Sequence, residues 1–346
     1  MANVTGYGDI SPAVAAYSQV QMLKRGMPYL HAEKFGQPYV LPTNSTDTAK
    51  WVRYFLTGAT GSAGTGTGSF FVPVSTTPLT EGVTPAGRKL ANQVYSVTLK
   101  QYGDYVTITD VIQDTHTDNI LSQATDILGE SAAITLETLR FNELKAGTNV
   151  FRAGNVAGRV NIITAPTLAD FRRVTTGLNR QNAKKISQVI ASTPDYNTKS
   201  VEASYFAIAH PDLESDLRAI AGFKVVADYG PHTSPMEGEI GSLEQIRFLT
   251  STIYAPYLDA GAAVSTSGLR AATTNVDVYP ILVFGRDAFG IVPLKGKSAM
   301  TPLVVNPKPA SGDPLAQRGT VGYKFWTGTV ILQQAFMAVL EVGATA

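Results

Sequence analysis

Residues 57–69, TGATGSAGTGTGS, are built only from Thr, Gly, Ala and Ser, and five of the thirteen are glycine. Such a run buries nothing and keeps its backbone freedom, so it reads as a flexible connection. Its flanks are of the opposite kind. KWVRYFL (50–56) is aromatic and β-branched, a strand candidate. After FFVPV and the turn-rich LTEGVTPAGRK, a longer strand pattern begins at Val94. Val94, Ser96, Thr98 and Lys100 alternate with Tyr95, Val97 and Leu99, and Val106, Ile108 and Asp110 alternate with Tyr105, Thr107 and Thr109. Gly103 between the two runs predicts a bend or bulge. Residues 50–113 therefore read as an extended two-stranded flap with a long, loose tip. A lone hairpin is marginal in water, so this one is expected to rest on a neighbouring copy of the chain.

The second constraint is a helix over residues 117–146. Ile120, Ile127, Ile134 and Phe141 recur every seven residues, with Ala124, Ser131 and Thr138 between them, which predicts one apolar-to-small stripe. Thr117 or Asp118 suits the cap and Gly147 marks the end. At 1.5 Å per residue the rod is about 45 Å long, well beyond the usual three to four turns. A second helix is predicted over Leu168–Ile190, with Thr167 and Asp170 at capping-box spacing and Phe171, Val174, Leu178, Ile186 and Val189 near one face. The strand SYFAIAH follows, and Pro211 opens a third helix, PDLESDLRAIA. IRFLTSTIYA and VYPILVFG read as strands around a coreless loop, AGAAVSTSG. The tail VGYKFWTGTVILQQAFMAVLEV alternates as one long strand or two joined ones. Residues 1–49 hold scattered apolar positions, a short possible helix from Ala13 to Arg25, and breaks at Gly26, Pro28, Gly36, Pro38 and Pro42. They read as an arm ordered by packing on something else. The fold class is α+β.

Several chemistries are disfavoured. With no cysteine, disulfides, thiolate nucleophiles and cysteine-ligated metals are excluded. The Gly-rich tract has Thr67 where a P-loop needs Lys, and Gly64, Gly66 and Gly68 do not complete a dinucleotide fingerprint. The four histidines, His31, His116, His210 and His232, have no ligand spacing, and His210 reads as a strand-end residue. No G-x-S-x-G elbow or S-x-x-K pair occurs. Asp212, Glu214 and Asp216 alternate on a helix and so diverge, and they suit its positive N-terminus. No cofactor, metal or catalytic site is expected. The net charge is +1, without the basic excess of a phosphate-gripping protein. Arg172, Arg173, Arg180, Lys184 and Lys185 read as a solvated helix face. Charged residues make up 16%, below the roughly 25% of ordinary domains, which fits a surface that faces other protein, although a β-rich secreted chain shares that bias. The start of the chain lacks the pattern of a signal peptide, and no stretch of eighteen apolar residues spans a membrane. A soluble protein assembled in a cytoplasm is expected.

Four segments in order resemble the major capsid proteins of tailed, short-tailed bacteriophages. They are PLTEGVTP (78–85) with SVTLKQYGDYVTITD (96–110), FAIAHPDLESDLR (206–218), GEIGSLEQIRFLTST (238–252), and DPLAQRGTVGYKFWTGTVILQQAFMAVLEV (313–342). The resemblance implies the Hong Kong 97-like capsid fold. It assigns an N-terminal arm to 1–49, an extended hairpin loop to 50–113, a peripheral domain to 114–200 with its spine helix at 117–146, an axial domain to 201–300, and a peripheral return to 301–346. The Gly/Ser/Thr tract and FFVPV depart from that pattern as an insertion. The implied function is an icosahedral shell around a double-stranded DNA genome, located in the virion and assembled in the bacterial cytoplasm. The implied partners are further copies of the chain as hexamers and pentamers, a scaffolding protein, a portal protein and a decoration protein. The DNA is enclosed without sequence-specific binding and no membrane is involved. Glu81, Arg88 and Lys89 near the flap turn are the candidates for ion pairs between subunits, against the plain reading of solvated turn charges. An encapsulin-like nanocompartment shares the implied fold and is the alternative. A β-rich cytoplasmic hydrolase with a site of scattered Ser, Asp and His is the more distant one.

Overall fold

The computed structural model describes residues 29–40, 46–56, 78–85, 87–110, 120–186, 203–228, 238–264, 268–293, 300–305, 314–315 and 317–346. The expected arm helix, the 57–69 tract, FFVPV and the cap at Thr117 or Asp118 lie outside them.

In chain order the strands are β1 (Gln37–Pro38), β2 (Thr48–Leu56), β3 (Leu90–Thr98) and β4 (Lys100–Thr109), followed by helix α1 (Ile120–Leu144). Next come β5 (Val150–Arg152), helix α2 (Leu168–Arg180), β6 (Tyr205–Ala209), the short helix α3 (Glu214–Ala219) and β7 (Lys224–Val225). A hairpin, β8 (Glu239–Leu243) and β9 (Ile246–Thr250), precedes β10 (Tyr279–Phe284), β11 (Phe289–Ile291) and β12 (Thr301–Val305). The tail holds β13 (Arg318–Thr327), β14 (Thr329–Ile331) and β15 (Met337–Val342).

The centre is a mixed seven-stranded sheet ordered β5-β15-β10-β6-β9-β8-β7. YFAIA of β6, YPILVF of β10 and MAVLEV of β15 are buried at every position and apolar but for Glu341, which is paired with Arg152 and Arg159. Continuous apolar runs of this kind mark strands covered on both faces. One face carries α2, whose Phe171, Val174 and Leu178 are fully buried beside Phe248, Ile281 and Leu340. Thr167 caps α2: its hydroxyl accepts from the Asp170 N–H, and the Asp170 carboxylate accepts from the Thr167 N–H at 3.1 Å. The capping box is where the sequence puts it. The helix ends ten residues earlier than its pattern suggests, at Arg180, because Asn182 adopts φ 52° and that left-handed backbone breaks the α ladder. Lys184 and Lys185 are therefore off the helix. Arg173 is not simply solvated either, since it binds Asp170 and Asn155 and donates to the Arg152 carbonyl.

Three further expectations are corrected. The flap is β2 paired with β3, in register from Thr48↔Thr98 to Leu56↔Leu90. It ends there, because β4 leaves it and pairs with β13 over ten residues in the sheet β12-β13-β4. Gly103 makes no bulge in that ladder. It faces Lys324 in continuous register, and a Cβ at Gly103 would stand 2.5 Å from the Tyr323 carbonyl oxygen. The glycine serves close approach. The tail, in turn, is not one strand or two joined ones. It visits three sheets, with β13 beside β4, β14 beside β11, and β15 between β5 and β10. Residues 301–346 thus supply an inner strand to the central sheet as well as the sheet under α1.

Candidate assembly surfaces

The long helix α1 spans 25 residues, and its buried side is not the predicted stripe. Leu128, Ala132, Leu136, Phe141 and Leu144 are buried, whereas Ile127 and Ile134 are 58% and 37% exposed. A seven-residue repeat drifts about 20° per heptad around a straight helix, so a stripe drawn from it crosses from one face to another. The covered face packs on β13 and β4 through Ile108, Val321, Tyr323 and Phe325. Its open face shows Ile127 and Ile134.

Residues 29–38 strap across the C-terminal half of α1. Tyr29 donates to Glu130 at 2.7 Å, the Ala32 N–H donates to Glu137 at 2.9 Å, and Glu33 pairs with Arg140 at 3.2 Å. Phe35 stacks on Phe206 at 4.8 Å, and β1 closes the strap by parallel pairing with β11. Glu137 and Arg140 have fully buried side chains, 3.9 Å apart. Burial pushes the Glu137 carboxyl above its ordinary range, opposed by Arg140, the Ala32 N–H and the hydroxyl of Tyr254. Tyr254 itself, fully buried and donating to Glu137 at 3.0 Å, is held well above the usual phenol range by burial and by that carboxylate. Arg140 Nε and Nη2 and Glu137 Oε2 make no hydrogen bond with the described residues. The cluster fixes strap, helix and the Tyr254 loop to one another at a high desolvation cost.

The flap has two unlike faces. Along β3 the exposure alternates strictly, and in β2 Trp51 is buried while Val52 and Tyr54 are exposed. The inner face is anchored at the root: Ala49, Trp51 and Leu99 are buried with Val292 and Leu332. Trp51 lies where a Cβ on Gly290 would stand 2.6 Å from its ring, so only glycine fits there. Arg53 donates to Gln333 at 2.5 Å and stands over the Tyr95 ring. The open face carries Val52, Tyr54, Leu90 and Val94, exposed by 48%, 65%, 67% and 50%. Val52 and Val94 are direct cross-strand partners. Side chains of this kind bury more than 1 kcal/mol each, roughly 1.5–3, when covered.

Glu81 sits exposed in the turn where the Val83 N–H donates to the Thr80 carbonyl and Gly82 takes φ 76°. Arg88 and Lys89 are exposed immediately before β3. All three charges are on the surface. His210 is a strand-end residue as read: its Nδ1 accepts from the Asp212 N–H at 3.2 Å and opens the turn at Pro211. Burial lowers its pKa, partly offset by Asp212. The three carboxylates after it diverge. Asp212 takes Tyr279 at 2.7 Å, Glu214 pairs with Arg218, and Asp216 accepts from the Thr345 N–H.

The family described as phage capsid protein matches residues 93–340. The chain belongs to that family. Among solved structures, the capsid of Ralstonia phage GP4 is similar with a TM-score of 0.64 and 12% identity, over 89% of this chain and 87% of that one. The head of Helicobacter pylori bacteriophage KHP40 gives 0.56 and 13%, over 88% and 86%. The capsid of cyanophage Pam1 gives 0.55 and 14%, over 93% and 92%. At these identities the structures show a shared fold, the Hong Kong 97-like one. No curated protein sequence matches the chain. This capsid protein is thus a structural component of a phage head and belongs to the virion. The open faces of flap and helix, which sequence periodicity misassigned in α1, are its candidate working surfaces. The strap's ionic cluster was invisible in the sequence, because Glu137 and Arg140 look like any surface i,i+3 pair until Glu33 and Tyr254 arrive from elsewhere.

Proposed function

We propose that copies of this capsid protein close as hexamers and pentamers into an icosahedral shell around packaged double-stranded DNA. In this reading β2–β3 is the loop that overlaps the next subunit, α1 on β12-β13-β4 is the peripheral unit, and the seven-stranded sheet is the axial unit around the symmetry axes. The strap of residues 29–38 is the described end of the arm. Glu81, Arg88 and Lys89 form ion pairs with a neighbour at the flap's outer end. A scaffolding protein shapes the first rounded shell, a portal protein occupies one vertex, and a decoration protein adds to the outside. The net charge of +1 suits a wall that holds DNA without sequence-specific grip. The role is structural, with many modest contacts summed over a closed lattice.

One observation carries the reading. The flap is fastened at its root and leaves an apolar face, Val52, Tyr54, Leu90 and Val94, uncovered in the single copy. The test is negative-stain electron microscopy of the full chain, alone and co-expressed with its scaffolding protein. Closed shells or rings of five or six subunits support it. Small monodisperse particles in both samples overturn it.

A further inference from the structure

Two loops meet beside the C-terminal end of α1. One, residues 153–166, follows β5, and the other, residues 251–264, follows β9. They are joined where the Ala262 N–H donates to the Ile162 carbonyl at 3.0 Å. Their surface combines apolar side chains with surplus positive charge. Val160 and Leu258 are 68% and 65% exposed, and Ile163 is 41% exposed. Next to them in the chain, the Arg159 guanidinium lies 3.8 Å from the centroid of the Tyr257 ring. Lys145 Nζ, just past α1, stands 5.8 Å from the same centroid. Glu341 of β15, 1% exposed, pairs with Arg152 at 3.2 Å and with Arg159 at 2.5 Å. One buried carboxylate against two guanidiniums leaves one positive charge over, and Lys145 adds a second. The two loops hold one other carboxylate, Asp259, which the N–H groups of Thr273, Thr274 and Asn275 take up. Glu143, two residues before Lys145, turns to the flap's root, where it lines a cavity with Val97 and Lys100. Exposed apolar patches rimmed by polar groups mark interaction sites.

We infer that this surface receives the turn at residues 79–83 of a second copy, an inference that rests on the shell reading above. The turn is its complement in both respects. Leu79 and Val83, 78% and 63% exposed, stand on either side of the exposed carboxylate of Glu81. Among the described residues, no other exposed carboxylate lies between two apolar side chains so open. The turn is also held in shape. The Val83 N–H donates to the Thr80 carbonyl at 3.1 Å, and Gly82 takes φ 76° at the third position, which sets Glu81 at the corner. Arg88 and Lys89 lie beyond Gly87 and outside the turn. The exposure of Leu79 and Val83 shows that their own copy leaves them uncovered. In the contact they cover Val160 and Leu258, and Glu81 enters the surplus field of Arg159 and Lys145. Apolar cover supplies the affinity, while the charge rejects wrong partners and fixes the register. Such a contact joins two different surfaces, and repeated head to tail it closes a ring.

The chain has no cysteine, so engineered thiols report without background. Val83→Cys and Leu258→Cys, both at exposed positions, are made separately in the full chain, co-assembled and treated with a short bismaleimide. A cross-linked dimer seen in the mixed shells and absent from shells of either variant alone is the expected result. Shells that form without it overturn the contact and leave the shell reading standing. If the unmodified chain forms neither rings nor shells, the shell reading falls and the contact with it. A charge swap covers a cysteine variant that folds or assembles poorly. Glu81→Lys and Lys145→Glu should each raise the protein concentration needed for assembly by about fivefold, the upper worth of one exposed ion pair. Denaturant melts of the unassembled chain should stay unchanged. The double variant reverses the pair and should recover most of the loss. Additive losses overturn the pairing.

Discussion

In β6, β10 and β15 every residue is buried, whereas along β3 exposed and half-covered residues alternate through all nine positions. The central sheet is covered on both faces by its own chain, with α2 on one side and the strap and α1's C-terminal end on the other. The flap is covered on half of one face only, at the root formed by Ala49, Trp51 and Leu99. Apolar burial is what stabilises a fold. One copy therefore spends its core on the sheet and leaves the flap's outer valines, leucine and tyrosine for another surface. The two regions should respond to mutation in opposite ways.

Phe248→Ala tests the first half of that contrast with the largest effect. Phe248 is fully buried, edge-on to Phe171 at 5.2 Å and near Phe223. Truncation should cost about 3–5 kcal/mol of unfolding free energy, read from denaturant melts of the unassembled chain. A shift below about 1 kcal/mol would place the stabilising core elsewhere.

Next is the strap. Glu137→Leu leaves Arg140 buried with only Glu33, which is partly exposed. Breaking an isolated buried pair costs about 3–5 kcal/mol, and the remaining contact should reduce this to about 2–3 kcal/mol. Joining it with Arg140→Met should restore most of the loss, because well-packed apolar residues replace such pairs at little cost. A double variant as unstable as the single would mean that the ions, rather than the packing, hold the strap down.

How much of this was legible in the chain divides along the same line. The flap strand β2, the capping box at Thr167 and Asp170, the strand and turn at His210 and Pro211, and the divergence of Asp212, Glu214 and Asp216 all rest on local rules. They hold in the structure. What periodicity could not give was partnership. Val94–Thr98 and Tyr105–Thr109 alternate alike, yet one run pairs with β2 and the other with a strand more than two hundred residues away. Alternation sets which way side chains point and says nothing of the strand alongside. The stripe in α1 failed for a related reason. Ile127 and Ile134 are as apolar as the buried Leu128 and Leu136, and a helix apolar on both sides does not declare which side its own core takes. A surface kept for another copy looks like core from the sequence.

His210 offers a gentler probe of the sheet's margin. Burial lowers its pKa below that of the unfolded chain. The folded state then binds protons less readily, so its contribution is full at neutral pH and is lost as pH falls through the unfolded histidine range, near 6.5. Protonation also removes the Nδ1 acceptor that caps Asp212. His210→Asn keeps a capping oxygen without the titration. Its stability relative to the parent should therefore rise between pH 7 and pH 5, and a parallel pair of curves would show that His210 takes no part.

The smallest effect on a single copy is the one that decides the comparison. Val52 and Val94 face each other on the open side of the flap, about half exposed. Replacing both with Thr keeps β-branching, and so strand preference, while adding hydroxyls that water already satisfies. The unassembled chain should change by no more than about 0.5 kcal/mol, as surface substitutions usually do. Assembly should respond differently. Two hydroxyls forced under a neighbour must each lose water, and the rings or shells formed at a given concentration should fall sharply in sedimentation profiles. A loss of stability like that of Phe248→Ala would mean the flap's outer face is already part of the copy's own core. Unchanged stability with unchanged assembly would mean that face stays wet in the shell. Only the split result, a copy indifferent and a lattice impaired, follows from a chain that divides its apolar surface between folding and assembly.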